Sequence, residues 1–356
     1  MLNNVSKVFY SVPTPVAGLA LGIASLGIGL ENSLPLHSLG QIIGALVSMA
    51  LGIMILTKYI MHPALIKKEL QHPVLGSVMP TLAMALMLQS KSLSILNAQT
   101  AEILWLVAVL VHLALLAGFT FYRMKSFCLH HMVPSWFVPF VGICVAALTV
   151  PGPQYHNFAY GLMIFGMVNY AVMLPVMIYR LIFSKEIEDP AKPTIAVMAA
   201  PASLSLVAYL TLEQSPSLLL CSVLLGIAVL MTSIVYLAFF KLLRLPFSPA
   251  FAAYTFPMSV GAAALYKVAD RLAAYPVAHV YSEQIRIVAV AELVIATLVI
   301  AYVCFRYLQY YVRAWAAVMQ ARKAARLLPA KSKEKNAGKR PVTGQSPLHH
   351  RQVKEL

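Results

Sequence analysis

Ten long apolar stretches account for most of this 356-residue chain. Each is long enough to cross about 30 Å of hydrocarbon as an α-helix, which rises about 1.5 Å per residue. Hydrophobic residues make up 60% of the chain and charged residues 11%, far from the balance of a soluble protein. The sequence therefore predicts an all-α integral membrane protein with spans at 13–30, 40–61, 73–91, 99–122, 134–151, 157–183, 194–212, 216–241, 248–266 and 285–311.

No segment before about residue 315 is polar enough to form a soluble domain. We therefore expect one transmembrane pore domain over residues 1–315. Residues 316–356 are rich in Lys, Arg, Pro, Gly and Ser, so we expect a disordered, basic cytoplasmic tail close to the anionic inner leaflet.

Lys and Arg residues concentrate in alternate connections between the spans. One side of the membrane carries Lys7, Lys58, Lys67, Lys68, Arg123, Lys125, Arg180, Lys185, Lys192, Lys241, Arg244 and the tail. The other side carries only Lys91, Lys267, Arg271 and Arg286. By the positive-inside rule both termini are cytoplasmic, in a multi-pass protein of the cell inner membrane. The net charge of +15 therefore reflects membrane topology and not nucleic-acid binding.

Prolines recur at a regular interval in the odd-numbered spans. Successive gaps of 65, 59, 62 and 56 residues separate Pro15, Pro80, Pro139, Pro201 and Pro257. A near-constant period of two membrane crossings predicts five helical hairpins. Small residues such as Gly18 and Gly22 accompany the prolines, so we expect an inner ring of five proline-kinked helices around a central pore. The alternative is that Pro and Gly are simply common in membrane helices.

One bulky side chain, Phe256, directly precedes the last of these prolines, Pro257. Ser259 and Ala263 follow it at i+3 and i+7, so an aromatic, a hydroxyl and a small side chain share one helix face. We interpret Phe256 as the plug of an ion pathway lined by Ser259 and Ala263. The competing interpretation is that Phe256 only fills a gap between helices.

A few polar side chains fall inside the spans, where burial makes them costly and often functional. His112 and Asn169 are expected to form hydrogen bonds between helices, and Glu292 to pair with Lys267 or Arg286. Alternatively, Glu292 or His112 couples transport to protons. The middle thirds of the odd-numbered spans carry no charge, which favours fast permeation with weak binding.

Catalytic and metal-binding motifs are absent from the sequence. It contains no phosphate-cradling loop, nucleophile elbow or helical HExxH motif. Its four cysteines form no CxxC cluster, so neither a disulfide framework nor a metal site is expected. We expect no enzyme activity and no cofactor.

Several short motifs resemble those of the tellurite-resistance/dicarboxylate transporter family, which includes a bacterial tellurite-resistance protein and the slow anion channel of plant guard cells. The matching motifs are Pro15–Gly22, His72–Val74, Pro134–Pro139, Gly166–Met167, Pro175–Val176, Ala200–Ala202, Ala208–Leu210 and Tyr254–Met258. The resemblance implies a homotrimer with one pore in each protomer, closed by a phenylalanine at the position of Phe256. Leu174 is a departure, because the bacterial relative has an acidic residue before the corresponding proline, so no carboxylate role is transferred to this position.

Passive anion permeation through a pore gated by Phe256 is the function that these features favour. Family members carry chloride, nitrate, sulfite, malate or toxic compounds, so the resemblance leaves open which small anion passes and whether tellurite is a substrate. A proton-coupled transporter of C4-dicarboxylates or other organic or toxic oxyanions is the first alternative. A non-transporting sensor or scaffold that acts through the basic tail is the second.

Overall fold

The computed structural model describes residues 2–327 of the chain, and this part contains helices and no strand. Residues 328–356, most of the predicted tail, lie outside the described residues. The α-helices are α1 Leu2–Tyr10, α2 Val16–Leu30, α3 Leu39–Met61, α4 Ala64–Gln71, α5 Pro73–Val78, α6 Thr81–Leu93, α7 Ala98–Lys125, α8 Phe137–Val141, α9 Val145–Leu148, α10 His156–Phe183, α11 Ala200–Leu212, α12 Leu218–Leu242, α13 Thr255–Ala273 and α14 His279–Leu327.

Short 3₁₀ segments precede or interrupt several of these helices. They are Leu129–His131, Pro134–Trp136, Gly142–Cys144, Pro153–Tyr155, Lys192–Ala199, Pro249–Tyr254 and Pro276–Ala278. The chain divides into two compact units, one that ends at Val303 and one that begins at Cys304, within α14. Residues 316–327, assigned to the tail by the sequence, continue α14 as helix. The domain boundary at residue 315 stays a prediction.

Within residues 2–327, seven helical stretches are long and apolar enough to cross a membrane. They are Leu39–Met61, Pro73–Leu93, Ala98–Lys125, Pro153–Phe183, Lys192–Leu212, Leu218–Leu242 and Pro276–Ala316. Three other predicted spans fall on the shorter apolar helices Val16–Leu30 and Pro134–Leu148 and on α13, which carries charged residues near its end. The described part of the chain is thus all-helical and consistent with an integral membrane protein, whereas the arrangement of ten spans as five hairpins stays a prediction.

Helical stretches that are mostly buried in the protein alternate along the chain with stretches that are mostly exposed. In the most apolar part of Lys192–Leu212, 89% of the residues are buried, against 22% in Pro153–Phe183. The less buried helices expose large apolar side chains, such as Ile60 at 78% and Leu219 at 77%. Lipid tails are as apolar as these side chains, so such a surface suits a bilayer and not water.

The five periodic prolines lie where α-helices begin. Pro15 and Pro80 directly precede α2 and α6, and Pro139, Pro201 and Pro257 lie within the first three residues of α8, α11 and α13. The first N–H groups of an α-helix have no partner within it, so proline removes no helical hydrogen bond there. Each of the five prolines lies at a junction where one helical segment ends and an α-helix begins, and we call these junctions the proline joints. Pro175, in contrast, lies inside the continuous helix α10.

Helix α2 packs against α3, α6 and α13. Its close approach to α13 depends on Gly22, because a Cβ atom at this position would overlap the side chain of Thr255 and lie 3.1 Å from the backbone nitrogen of Phe256. Gly22 was expected to line the pore, but the structure places it in this helix contact.

We predict that Gly22→Ala destabilises the protein by about 1–3 kcal/mol, because the added methyl group forces α2 and α13 apart. The thermal midpoint of the purified protein in detergent measures this loss. Gly161→Ala in α10 is the matched control, since a Cβ atom there meets nothing within 4 Å. Equal midpoints for the two variants would contradict the close contact.

Candidate pore

A cavity of about 70 Å³ lies between the five chain segments that contain the periodic prolines. Residues from 15–21, 74–84, 135–142, 194–204 and 250–257 line it. Most belong to 3₁₀ segments or to the first turns of α-helices, so the joints of the buried segments converge here. Backbone that departs from an α-helix is tolerated at membrane depth where it is buried in protein or lines a cavity.

The wall of this cavity is almost entirely apolar and carries no charged side chain. Its polar side chains are the hydroxyl groups of Thr81, Ser135 and Thr194. Thr81 donates to the carbonyl of Val78 and Thr194 to that of Ala191, both at 2.7 Å. The wall formed by these residues therefore contains neither an acid–base side chain nor a metal-ligand set, and it offers a permeating ion no charged partner.

The third hydroxyl group, that of Ser135, belongs to a pair with Ser77. Ser77 donates to the carbonyl of Val74 at 2.8 Å, which leaves its oxygen to accept from Ser135 at 2.7 Å. The sequence analysis missed all three wall hydroxyls. A signal existed, because Thr81, Ser135 and Thr194 each follow a proline directly.

Phe256 is 8% exposed and lines this cavity together with Pro257. Hydroxyl side chains on both sides of it contact α2. The Thr255 hydroxyl donates to the carbonyl of Ala252 at 2.7 Å and lies 3.2 Å from the carbonyl oxygen of Gly18 in α2, and the hydroxyl oxygens of Ser259 and Ser25 of α2 are 2.9 Å apart. These contacts join the first turns of α13, where Phe256 lies, to α2.

The structure brings about half of the predicted pore residues together. Pro15, Gly18, Pro201, Phe256 and Pro257 line the cavity. Pro80, Pro139, Gly22, Ser259 and Ala263 do not line it. Beyond the first turn α13 packs against α2 and α11, so Ser259 contacts α2 and Ala263 packs beside the buried cluster around Leu206.

A buried ion pair that the sequence analysis missed lies next to the start of α2. Lys58 was counted as a cation of a connection, but its side chain is only 3% exposed and its Nζ lies 2.6 Å from Oε1 of Glu69. Thr14 and Tyr59 each donate to Oε2 of Glu69 at 2.7 Å. Thr14 directly precedes Pro15, so this network fixes the start of α2 against α3 and α4.

Hydrogen bonds between helices were expected for both His112 and Asn169, and only His112 forms one. His112 is fully buried in α7, and its Nε2 lies 2.9 Å from the carbonyl oxygen of Pro139, so it forms the expected interhelical hydrogen bond. Asn169 instead donates to the carbonyl of Phe165, one turn earlier in its own helix, and is half-buried. The expectation that Asn169 joins two helices is wrong.

Glu292 lines a second cavity of about 210 Å³, which shares no lining residue with the first. Its Oε1 contacts Gly261 of α13. Among the described residues this buried oxygen has no hydrogen-bond partner, and Arg286 pairs with Asp270 at 2.8 Å. Arg286 lies six residues before Glu292, about 9 Å along the helix, and reaches the end of α13. Neither expected pairing of Glu292, with Lys267 or with Arg286, is therefore present among the salt bridges of the described residues.

The sequence of the chain is similar to those of a known protein family and of two curated proteins. The model of the voltage-dependent anion channel family, SLAC1, matches residues 11–308. An uncharacterized transporter of Methanocaldococcus jannaschii is 25% identical over 59% of this chain and 69% of its own length. A second uncharacterized transporter of that organism is 25% identical over 56% of this chain and 65% of its own length.

We predict that Glu69→Gln destabilises the protein by about 3–5 kcal/mol, because the ammonium of Lys58 is left buried without a carboxylate. The thermal midpoint in detergent measures the loss. The double variant Lys58→Met/Glu69→Leu removes both charges and should recover most of it. An undiminished midpoint in the single variant would show that the pair does not stabilise the fold.

Proposed function

The chain belongs to the voltage-dependent anion channel family, and from this premise we propose that it conducts small anions passively across the membrane. Family membership and transporter relatives support transport of anions in general. The observation that carries the passive mechanism is the cavity between the proline joints, whose wall has no charge to bind the ion or to couple its movement to a proton. Such a protein has no enzymatic role.

The proposed topology has ten membrane spans arranged as five hairpins. It counts the seven long helical stretches together with Val16–Leu30, Pro134–Leu148 and α13. The buried segments with the proline joints form the inner ring, and the exposed α3, α7, α10, α12 and α14 face lipid. The alternation of burial supports this arrangement.

The distribution of Lys and Arg supports an orientation with both termini in the cytoplasm, and a location in the inner membrane follows for a cell with two membranes. A homotrimer with one pore in each protomer rests on the resemblance to the tellurite-resistance/dicarboxylate transporter family. The anion assignment rests on the family and on the basic cytoplasmic side, which concentrates anions at the pore mouth.

We propose Phe256 as the gate of this pore. Its ring lies in the cavity wall, while the hydroxyl side chains of Thr255 and Ser259 on either side contact α2. A benzyl group in an apolar constriction keeps water and ions out, and its rotation opens a path without moving the helix. Pro15, Gly18, Pro201 and Pro257 form the rest of the constriction.

A proton-coupled carrier of C4-dicarboxylates or toxic oxyanions such as tellurite is the second candidate. One observation favours it, namely that Glu292 keeps a buried carboxylate oxygen without a hydrogen-bond partner in the described part of the chain. Tyr236 and Gly261 line the same cavity. Because neither Glu292 nor His112 lines the first cavity, passive permeation remains the better supported function.

We predict that Phe256→Ala raises the chloride flux through the protein severalfold in liposomes, because it removes the ring from the constriction. Flux is followed with a chloride-sensitive dye under a fixed potential. Phe240→Ala on the exposed face of α12 is the control and should match the parent, since this ring is 70% exposed. Unchanged flux in a folded Phe256→Ala protein would remove Phe256 from the gate.

We predict that Glu292→Gln leaves the chloride flux of the parent intact, with or without a pH gradient across the liposome. The carboxylate lies outside the proposed path, and its replacement removes only a proton site. Flux that depends on the gradient in the parent and is lost in Glu292→Gln would instead establish the proton-coupled carrier.

A further inference from the structure

Three potential metal ligands lie together in the connection between α7 and Pro134–Trp136. They are the thiol of Cys128 and the imidazoles of His130 and His131, whose ligand atoms all lie within 4.8 Å of one another. The Sγ of Cys128 is 2.9 Å from Nδ1 of His130, and the two imidazole centroids are 4.2 Å apart. The sequence analysis expects no metal site because it considers only spacing between cysteines.

Local backbone geometry explains why these side chains converge. Leu129–His131 forms a 3₁₀ turn that Cys128 precedes, and the N–H of His131 donates to the carbonyl of Cys128 at 3.0 Å. In a 3₁₀ turn, residues three apart lie on the same side. This backbone hydrogen bond brings Cys128 and His131 together across the turn, and His130 closes the group by its contact with the thiol.

The connection is held in place from both ends. Arg180 of α10 donates to the carbonyl of His130 at 2.8 Å. After the turn, Met132 and Val133 are buried at 4% and 5% exposure. Before it, the ring of Phe127 packs against Trp136 at 6.3 Å. The three ligands are thus presented by an anchored turn, while His130 and His131 are exposed to solution.

We propose that Cys128, His130 and His131 form a binding site for Zn²⁺. One thiolate and two imidazoles are a ligand set that zinc prefers, and three protein ligands leave the fourth tetrahedral position to water. Binding releases the thiol proton to solvent and forms the Zn–S bond. This site is independent of the proposed pore, because none of the three residues lines the first cavity.

Titration of the full-length protein in detergent with Co²⁺, a spectroscopic substitute for Zn²⁺, tests the site. The parent should bind one Co²⁺ per chain with a near-ultraviolet thiolate-to-metal band, and Zn²⁺ should abolish this band. Cys128→Ser should lose the band, and His130→Ala should weaken binding at least tenfold. Cys221→Ser, which alters a cysteine on α12, should match the parent.

Thermal midpoints without metal verify that each variant is folded. Absence of a thiolate band in the parent would overturn the proposal, and so would a band that persists in Cys128→Ser. Equal Co²⁺ affinities for the parent and a folded His130→Ala variant would overturn the assignment of His130.

Discussion

The structure depends on the requirement that backbone N–H and C=O groups be paired wherever water is absent. In a bilayer this restricts the lipid-facing surface to continuous helices, and breaks are confined to the protein interior. The chain obeys this rule, since α3, α7, α10 and α12 run unbroken and the 3₁₀ segments at 192–199 and 249–254 are largely buried. The cavity forms where these breaks meet, so the same constraint that fixes the fold creates the candidate pore.

Many polar side chains inside the protein are also paired with hydrogen-bond or charge partners. Every hydroxyl in the cavity wall donates to an acceptor within the protein, and the one buried ion pair that the structure describes is surrounded by hydroxyl donors. The wall is left uncharged, and the network around Lys58 and Glu69 holds the start of α2. An uncharged wall suits passive movement of an ion, because no tight binding step must be reversed before the ion leaves.

Hydropathy and the proline period predicted the helical membrane fold and the segments that line the cavity. Both signals are strong because they extend over whole spans. The orientation of single side chains could not be predicted in the same way. Ser259 and Ala263 share a face with Phe256 by helical spacing, yet the cavity does not extend along α13 to reach them. The Lys58–Glu69 pair was missed because it joins two separate helices.

The central claim is that anions pass through the cavity between the proline joints, and cysteine modification tests it most directly. Leu204→Cys places a thiol in the cavity wall, and Val229→Cys places one in the second cavity. We predict that a negatively charged methanethiosulfonate reagent blocks chloride flux through Leu204→Cys and leaves the flux of Val229→Cys and the parent unchanged. Persistent flux through a fully modified Leu204→Cys protein would contradict a path through this cavity.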